Sequence, residues 1–276
     1  MQARYGVHPT HFTRLDSREL RDEFLATGLM RPGQINLVHS SYDRFVFGGA
    51  VPTGDTLKLE NDEDLRADFF LQRRELGILN LGAAGTVTVD GTAYELARFD
   101  CLYVGRGARA VDFGSANSAE PACFYLNSAP AHTAYPTTKY TQEQANRVEL
   151  GDGPHANQRV LYQYIHEAGI QSCQLVMGFT ELLSGNIWNT FPPHTHERRM
   201  EVYLYFDVPD NELVMHFMGK PDETRHLVVR NFEAVISPPW SIHSGAGTAN
   251  YRFVWGMAGE NQAFSDMDAA ALADIR

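Results

Sequence analysis

The run His194-Thr195-His196-Glu197-Arg198-Arg199-Met200-Glu201-Val202-Tyr203-Leu204-Tyr205-Phe206 holds two imidazoles, a carboxylate and an aromatic strand in thirteen residues. In an extended chain, residues two apart point to the same face, so His194 and His196 present two imidazoles to one point. Glu201 has the opposite parity to His196, and one straight strand cannot deliver all three. A tight turn through Glu197, Arg198 and Arg199 would reset the phase, after which the aromatic, alternating run from Glu201 to Phe206 reads as a returning strand. Further on, Pro238-Pro239-Trp240-Ser241-Ile242-His243 sets another histidine just beyond a turn. Imidazole and carboxylate are good donors for zinc and other first-row divalent ions. The expectation is therefore one divalent metal ion per chain, held by His194, His196, Glu201 and His243 inside a β-barrel.

This spacing resembles the metal motifs of the cupins, in which His-x-His and a Glu precede a fourth ligand, a His, on a later strand. The second cupin motif ends in Pro-x-Gly-x-x-His, and here Trp240 stands where the glycine is usual. The glycines that bracket the first motif are also out of place, although the ligand positions are intact.

Composition agrees with an enzyme built from strands. The chain has 276 residues, long for one ordinary domain and suited to two fused β-domains. Its 16 Phe and 12 Tyr favour strands over helices. A formal net charge of -11 argues against nucleic acid or an acidic membrane surface as the main partner. No apolar run is long enough to span a bilayer, and the first residues lack the apolar core of a signal peptide. Cys101, Cys123 and Cys173 are an odd set without CxxC spacing, which argues against disulfides and fits a reducing cytoplasm.

Along the chain, residues 17–25 read as a helix capped by Ser17, with Leu20, Phe24 and Leu25 on its apolar side. Alternating runs follow, punctuated by Gly82, Gly85 and the Asp90-Gly91 pair. Among those in the second half are residues 172–177, while residues 266–274 read as a short closing helix. A polar, Pro-rich stretch at 129–158 joins two halves that look like diverged copies. Arg73-Arg74 can be laid on Arg198-Arg199, and the run from Asp100 to Ala110 on the run from Glu233 to His243, so that Ala110 falls where His243 stands. The expected fold is mainly all-β: two fused cupin-like β-barrels with a few short helices. Residues 1–140 form a degenerate, metal-free domain and 141–276 the metal-binding one.

Nearly end to end, the chain resembles the bacterial 5-keto-4-deoxyuronate isomerases, the bicupin ketol-isomerases of pectin and alginate breakdown. The most specific stretches are the run from Trp188 to Tyr203, the run from Ser237 to Gly245, and Trp255-Gly256-Met257-Ala258-Gly259-Glu260-Asn261. The resemblance implies zinc on the residues named above. It also implies a cytoplasmic homohexamer that converts 5-dehydro-4-deoxy-D-glucuronate to 3-deoxy-D-glycero-2,5-hexodiulosonate. The 5-deoxyglucuronate isomerases of inositol breakdown carry a similar motif and are the nearest alternative.

The chemistry can be weighed on the residues themselves. A divalent ion can chelate the two oxygens of an aldose–ketose pair and stabilise the enediolate between them. A base must then carry a proton from one carbon to the other, and Glu201, a metal-bound hydroxide and His132 all qualify. The anionic substrate needs a cationic clamp. Arg198 and Arg199 lie between the ligands, Arg73 and Arg74 occupy the matching place in the first half, and Lys139 sits in the linker. Trp188 and Trp240 are candidates for an apolar wall. A cupin oxygenase would instead require iron and oxygen, and a sugar-binding regulator would require a basic helix-turn-helix, of which none is evident.

Overall fold

The computed structural model describes residues 1–263 and 265–276. It resolves into two compact units, each assembled from more than one stretch of chain. The first comprises Met1–Ala3, Gly28–Ala145 and Tyr164–Met177, and the second Arg4–Thr27, Asn146–Gln163 and Gly178–Arg276.

In the first unit a seven-stranded sheet runs in the order Gln2–Arg4, Ile35–Ser40, Val46–Ala50, Phe124–Pro130, Arg74–Asn80, Cys101–Val104, Thr138–Tyr140. A four-stranded sheet of Leu57–Lys58, Val111–Ser115, Gly85–Val89 and Thr92–Leu96 supplies the second layer. Ile78, Leu102 and Leu126 from the large sheet and Val87, Leu96 and Phe113 from the small one share one apolar core. The hairpin between Gly85–Val89 and Thr92–Leu96 turns at Asp90 and Gly91, whose φ angles of 46° and 84° are the left-handed pair that a two-residue turn requires.

The second unit repeats this plan. Its seven-stranded sheet is ordered Asn146–Leu150, Arg159–Ile165, Val176–Leu182, Arg252–Gly259, Arg199–Phe206, Ala234–Ser237, Leu25–Ala26. The four-stranded sheet is Trp188–Asn189, Ile242–Gly247, Val214–Lys220, Glu223–Val229. Rings of Tyr203 and Tyr205 on the large sheet meet His216 on the small one, with centroids 5.7 and 5.9 Å apart, so the layers face each other. The mainly β architecture expected from the sequence is borne out. The layers are separate sheets stacked as a sandwich, and no sheet among the described residues closes on itself as a barrel.

The internal repeat shows in the register. Leu76 pairs with Val104 and Ser128, and Glu201 pairs with Ser237 and Met257, the same relation between corresponding strands. Arg74 and Arg199 are the first residues of their strands, so Leu76 stands where Glu201 stands. Leu76, Val104 and Leu126 belong to the apolar core of the first unit, which fills with side chains the space that polar ligands take in the second.

Three local expectations need correction. The helix Ser17–Phe24 is capped by Asp16, not Ser17. Asp16 accepts from the amides of Arg18 and Glu19, while the Glu19 carboxylate accepts from the Asp16 amide, a reciprocal capping box. Residues 266–274 are not a helix: Asp268–Ala269 is a strand paired with His194–Thr195, followed by a 3-10 turn at Leu272–Asp274. Helix propensity lost there to backbone pairing and to an arginine that grips the segment, described below. Finally, the strand expected at 172–177 starts only at Val176. The amides of Cys173, Gln174 and Leu175 are spent on the buried carboxylate of Glu75, at 2.7, 2.9 and 2.9 Å, and cannot enter a ladder.

Candidate metal and substrate site

Each member of the His-Glu set comes from a different element of the second unit. His194 lies in the edge strand His194–Thr195, and His196 just beyond it. The amide of Arg199 donates to the His196 carbonyl and closes the turn through Glu197 and Arg198. Glu201 follows in the large sheet, and His243 enters from the small sheet after a turn in which Ser241 donates to the Pro238 carbonyl. The cluster thus sits between the layers, with His196, Glu201 and His243 buried and His194 partly so.

The ring nitrogens of His194, His196 and His243 lie within 4.8 Å of one another. His243 Nε2 is 3.1 Å from His194 Nε2 and 3.0 Å from Glu201 Oε2, and His196 Nε2 is 3.1 Å from that same oxygen. His196 Nδ1 faces the Arg199 carbonyl at 3.0 Å. A carbonyl only accepts, so the proton of neutral His196 belongs on Nδ1 and its Nε2 lone pair faces the carboxylate. Lone pairs converging on one point need a cation among them, and three imidazoles with a carboxylate are the donor set of a first-row divalent ion. Burial, with His243 beside it, pushes His194 down to about 3, which favours the neutral, ligating form. Burial alone would raise Glu201, but the His243 and His196 imidazoles outweigh it and hold the carboxyl well below the usual range. The residues present therefore fit a bound metal.

Behind the cluster lies a second polar layer. The Tyr205 hydroxyl is 2.7 Å from His216 Nδ1, and Asn189 Nδ2 donates to the Tyr251 hydroxyl at 2.7 Å. Gly245 makes room for it, because a Cβ there would come within 2.7 Å of Asn189 Nδ2 and 3.1 Å of the Tyr205 hydroxyl.

In front of it opens a cavity of about 370 Å³, a volume suited to a small sugar acid. His194, His196 and Glu201 form its polar end, and Leu161, Phe191, Phe253, Trp255 and Met257 its apolar wall. The Tyr203 hydroxyl, 2.9 Å from Thr190 Oγ1, also faces it, kept protonated by burial and by the neighbouring Glu201 charge. Ser265, Met267 and Ala269 roof it from the C-terminal segment.

That roof explains where the two arginines of the motif go. Buried Arg199 donates from Nη1 to the carbonyls of Asn261 and Ala263 and from Nη2 to that of Asp266. Arg198 faces the other way, donating to both carboxylate oxygens of Asp266 and, at 3.0 Å, to Asp268. Arg199 lines the cavity and Arg198 does not. The other candidates also find partners elsewhere. Lys139 pairs with Asp100 at 2.9 Å, Arg73 donates to the Leu65 and Arg66 carbonyls, and buried Arg74 donates to Ser128 and to the Arg44 carbonyl. His132 is exposed on the first unit and, like Lys139, does not line this cavity. Trp240 packs edge-on against Phe12, and Trp188 stacks on Phe217, so neither forms the wall. Sequence reasoning missed Arg159, which lines the cavity from the strand Arg159–Ile165.

The profile of the KduI/IolB family matches residues 25–275. A 4-deoxy-L-threo-5-hexosulose-uronate ketol-isomerase of Formosa agariphila is 54% identical over 275 residues, covering 100% of this chain and 98% of the relative. A protein of the same name from Escherichia coli O45:K1 is 50% identical, with 100% of both chains covered. Among solved structures, an IolB-like protein of Salmonella typhimurium matches with a TM-score of 0.72 at 14% identity, over 90% of this chain and 96% of that one. An oxalate decarboxylase of Lactobacillus farciminis, solved as a formate complex, matches with a TM-score of 0.56 at 8% identity, over 83% and 79%. At such identities the two structures speak for the fold.

Proposed function

Since the chain belongs to the KduI/IolB family, we propose that it is a ketol-isomerase of deoxy-keto-uronates, interconverting 5-dehydro-4-deoxy-D-glucuronate and 3-deoxy-D-glycero-2,5-hexodiulosonate in pectin and uronate breakdown. The observation that carries this reading is identity above half, over full length, to a relative named for that reaction. The inositol-pathway alternative has less support, because the IolB-like structure shares only 14% identity. The oxygenase alternative finds no relative of comparable identity among those described above.

In this reading His194, His196, Glu201 and His243 hold one Zn2+, the fit of the donor set being the support. When bound, the ion supplies a Lewis acid beside the two adjacent substrate oxygens. The chain's own residues do the rest. Glu201 is the one carboxylate lining the cavity among the described residues. Its Oε2 lies against His196 and His243, while Oε1 hydrogen-bonds no described residue, so Oε1 is the atom assigned to take the proton from one carbon and return it to the next. The Tyr203 hydroxyl is placed to donate to a substrate oxygen as negative charge develops on it. The apolar wall and the C-terminal roof exclude water from the intermediate. The family resemblance further supports a cytoplasmic homohexamer, whose mass in light scattering should be six times the 30.9 kDa chain.

The deciding assay is anaerobic, in deuterated water, with metal-analysed protein and no nicotinamide. Isomerisation to a product of unchanged mass apart from isotope is expected, with deuterium at the carbon that receives the proton. Strict dependence on oxygen with an oxidised product would overturn the assignment.

A further inference from the structure

Arg159 is the cation of the cavity whose donors are not already used. Of the two arginines that line it, Arg199 gives three hydrogen bonds to backbone carbonyls of the roof, whereas Arg159 makes one, from Nη1 to the Asn157 carbonyl at 2.8 Å. No carboxylate among the described residues lies within ion-pair distance of it. Asn157 is itself fixed, accepting from the Asp152 amide at 2.9 Å and donating to the Phe191 carbonyl, so that single bond aims the guanidinium. Leu161, two residues along, also lines the cavity, as strand alternation requires if Arg159 faces inward. Partial burial of an unpaired guanidinium is unfavourable on its own, and it persists where an anion completes it.

Position along the sheet sets the distance between Arg159 and the histidine cluster. Between the strands that carry Arg159 and Glu201 lie Val176–Leu182 and Arg252–Gly259. Three strand spacings of about 4.8 Å separate the two backbones by roughly 14 Å. After both side chains reach inward, the remaining gap is on the scale of a six-carbon chain. In a hexuronate the carbonyl–hydroxyl pair and the carboxylate stand at opposite ends of such a chain.

We infer that Arg159 is the carboxylate anchor of this cavity, gripping a sugar acid at the end remote from the histidine cluster and so selecting acids over neutral sugars. The identity of the acid rests on the isomerase reading, and the selection of a carboxylate does not. A planar guanidinium can offer a carboxylate two parallel N–H donors, which a lysine cannot.

The test compares wild type, Arg159→Met and Arg159→Lys, all with metal content measured, on the deoxy-keto-uronate and on the same sugar with its carboxyl reduced to an alcohol. Losing charge-assisted hydrogen bonds should raise KM for the acid on the order of 10- to 100-fold in Arg159→Met. Turnover of the reduced sugar should stay within about twofold, and Arg159→Lys should recover part of the acid's KM. Equal losses on both sugars, or an unchanged KM for the acid, would overturn the inference. Should wild type turn over neither sugar, the isomerase reading fails and calorimetry decides this one. A preference for D-glucuronate over D-glucose that Arg159→Met abolishes supports the anchor, and no preference in wild type removes it.

Discussion

Glu201→Gln keeps the shape of the side chain and removes its charge, so it separates the two roles assigned to that carboxylate. Metal content should fall well below one equivalent per chain by elemental analysis, and kcat should fall on the order of 100-fold or more even when metal is resupplied in excess. Full activity at restored occupancy would move the proton to another group. Glu75 makes a contrasting test, because its carboxylate is buried in the first unit, holding three amides and the Tyr103 hydroxyl. Glu75→Gln should cost roughly 2–4 kcal/mol in urea unfolding, as charge-assisted bonds to amides are weakened, with metal content unchanged. At this scale the histidine cluster was legible because strand parity is a local rule acting on His194, His196 and Glu201. Arg159 was not, since its place in the cavity depends on sheet order, and nothing near it in sequence reveals which strands will stand between it and Glu201. Arg198 and Arg199 were visible as charges, but their partners lie more than sixty residues downstream, at 261–268, and spacing carries no trace of them.

Between residue and molecule, the informative element is the short strand Asp268–Ala269. Its composition reads as helix, yet it pairs with the strand that bears His194 and is gripped by Arg198 through Asp266 and Asp268. Arg198→Ala should speed hydrogen exchange at residues 266–269 and raise KM through a loosened roof. Global stability should hardly change, because the pairs stand near solvent. A large stability loss, with exchange unchanged, would show that Arg198 serves the core and not the roof. Long periodic strands, such as the aromatic run ending at Phe206, were readable from alternation, whereas two-residue strands have too few positions to show a period. The same limit hid the late start of Val176–Leu182, where a buried glutamate from elsewhere in the chain claimed the amides first.

On the scale of the whole molecule, duplication with divergence predicts unequal dependence on metal. The first unit closes its core with Leu76, Val104 and Leu126, and the second gathers polar ligands at the corresponding register. Chelation of a protein loaded to about one equivalent should therefore lower the melting temperature of the second unit alone. A ligand present at a thousandfold excess over its Kd stabilises by about 4 kcal/mol, enough to split one calorimetric transition into two. A single transition that shifts as a whole would instead show the units melting together. The doubled plan was legible from the overlay of Arg73-Arg74 on Arg198-Arg199, because register follows chain order once hairpins are placed; the separate sheets of each sandwich were not, since closure depends on strand tilt. The roof segment is also the last part of the site to be synthesised. Chains are made from the N-terminus, so His194, His196, Glu201 and His243 all leave the ribosome before Ala269, the partner of His194. Every member of the cluster is thus synthesised before the segment that roofs it, so the ligand set is complete in the chain before its lid.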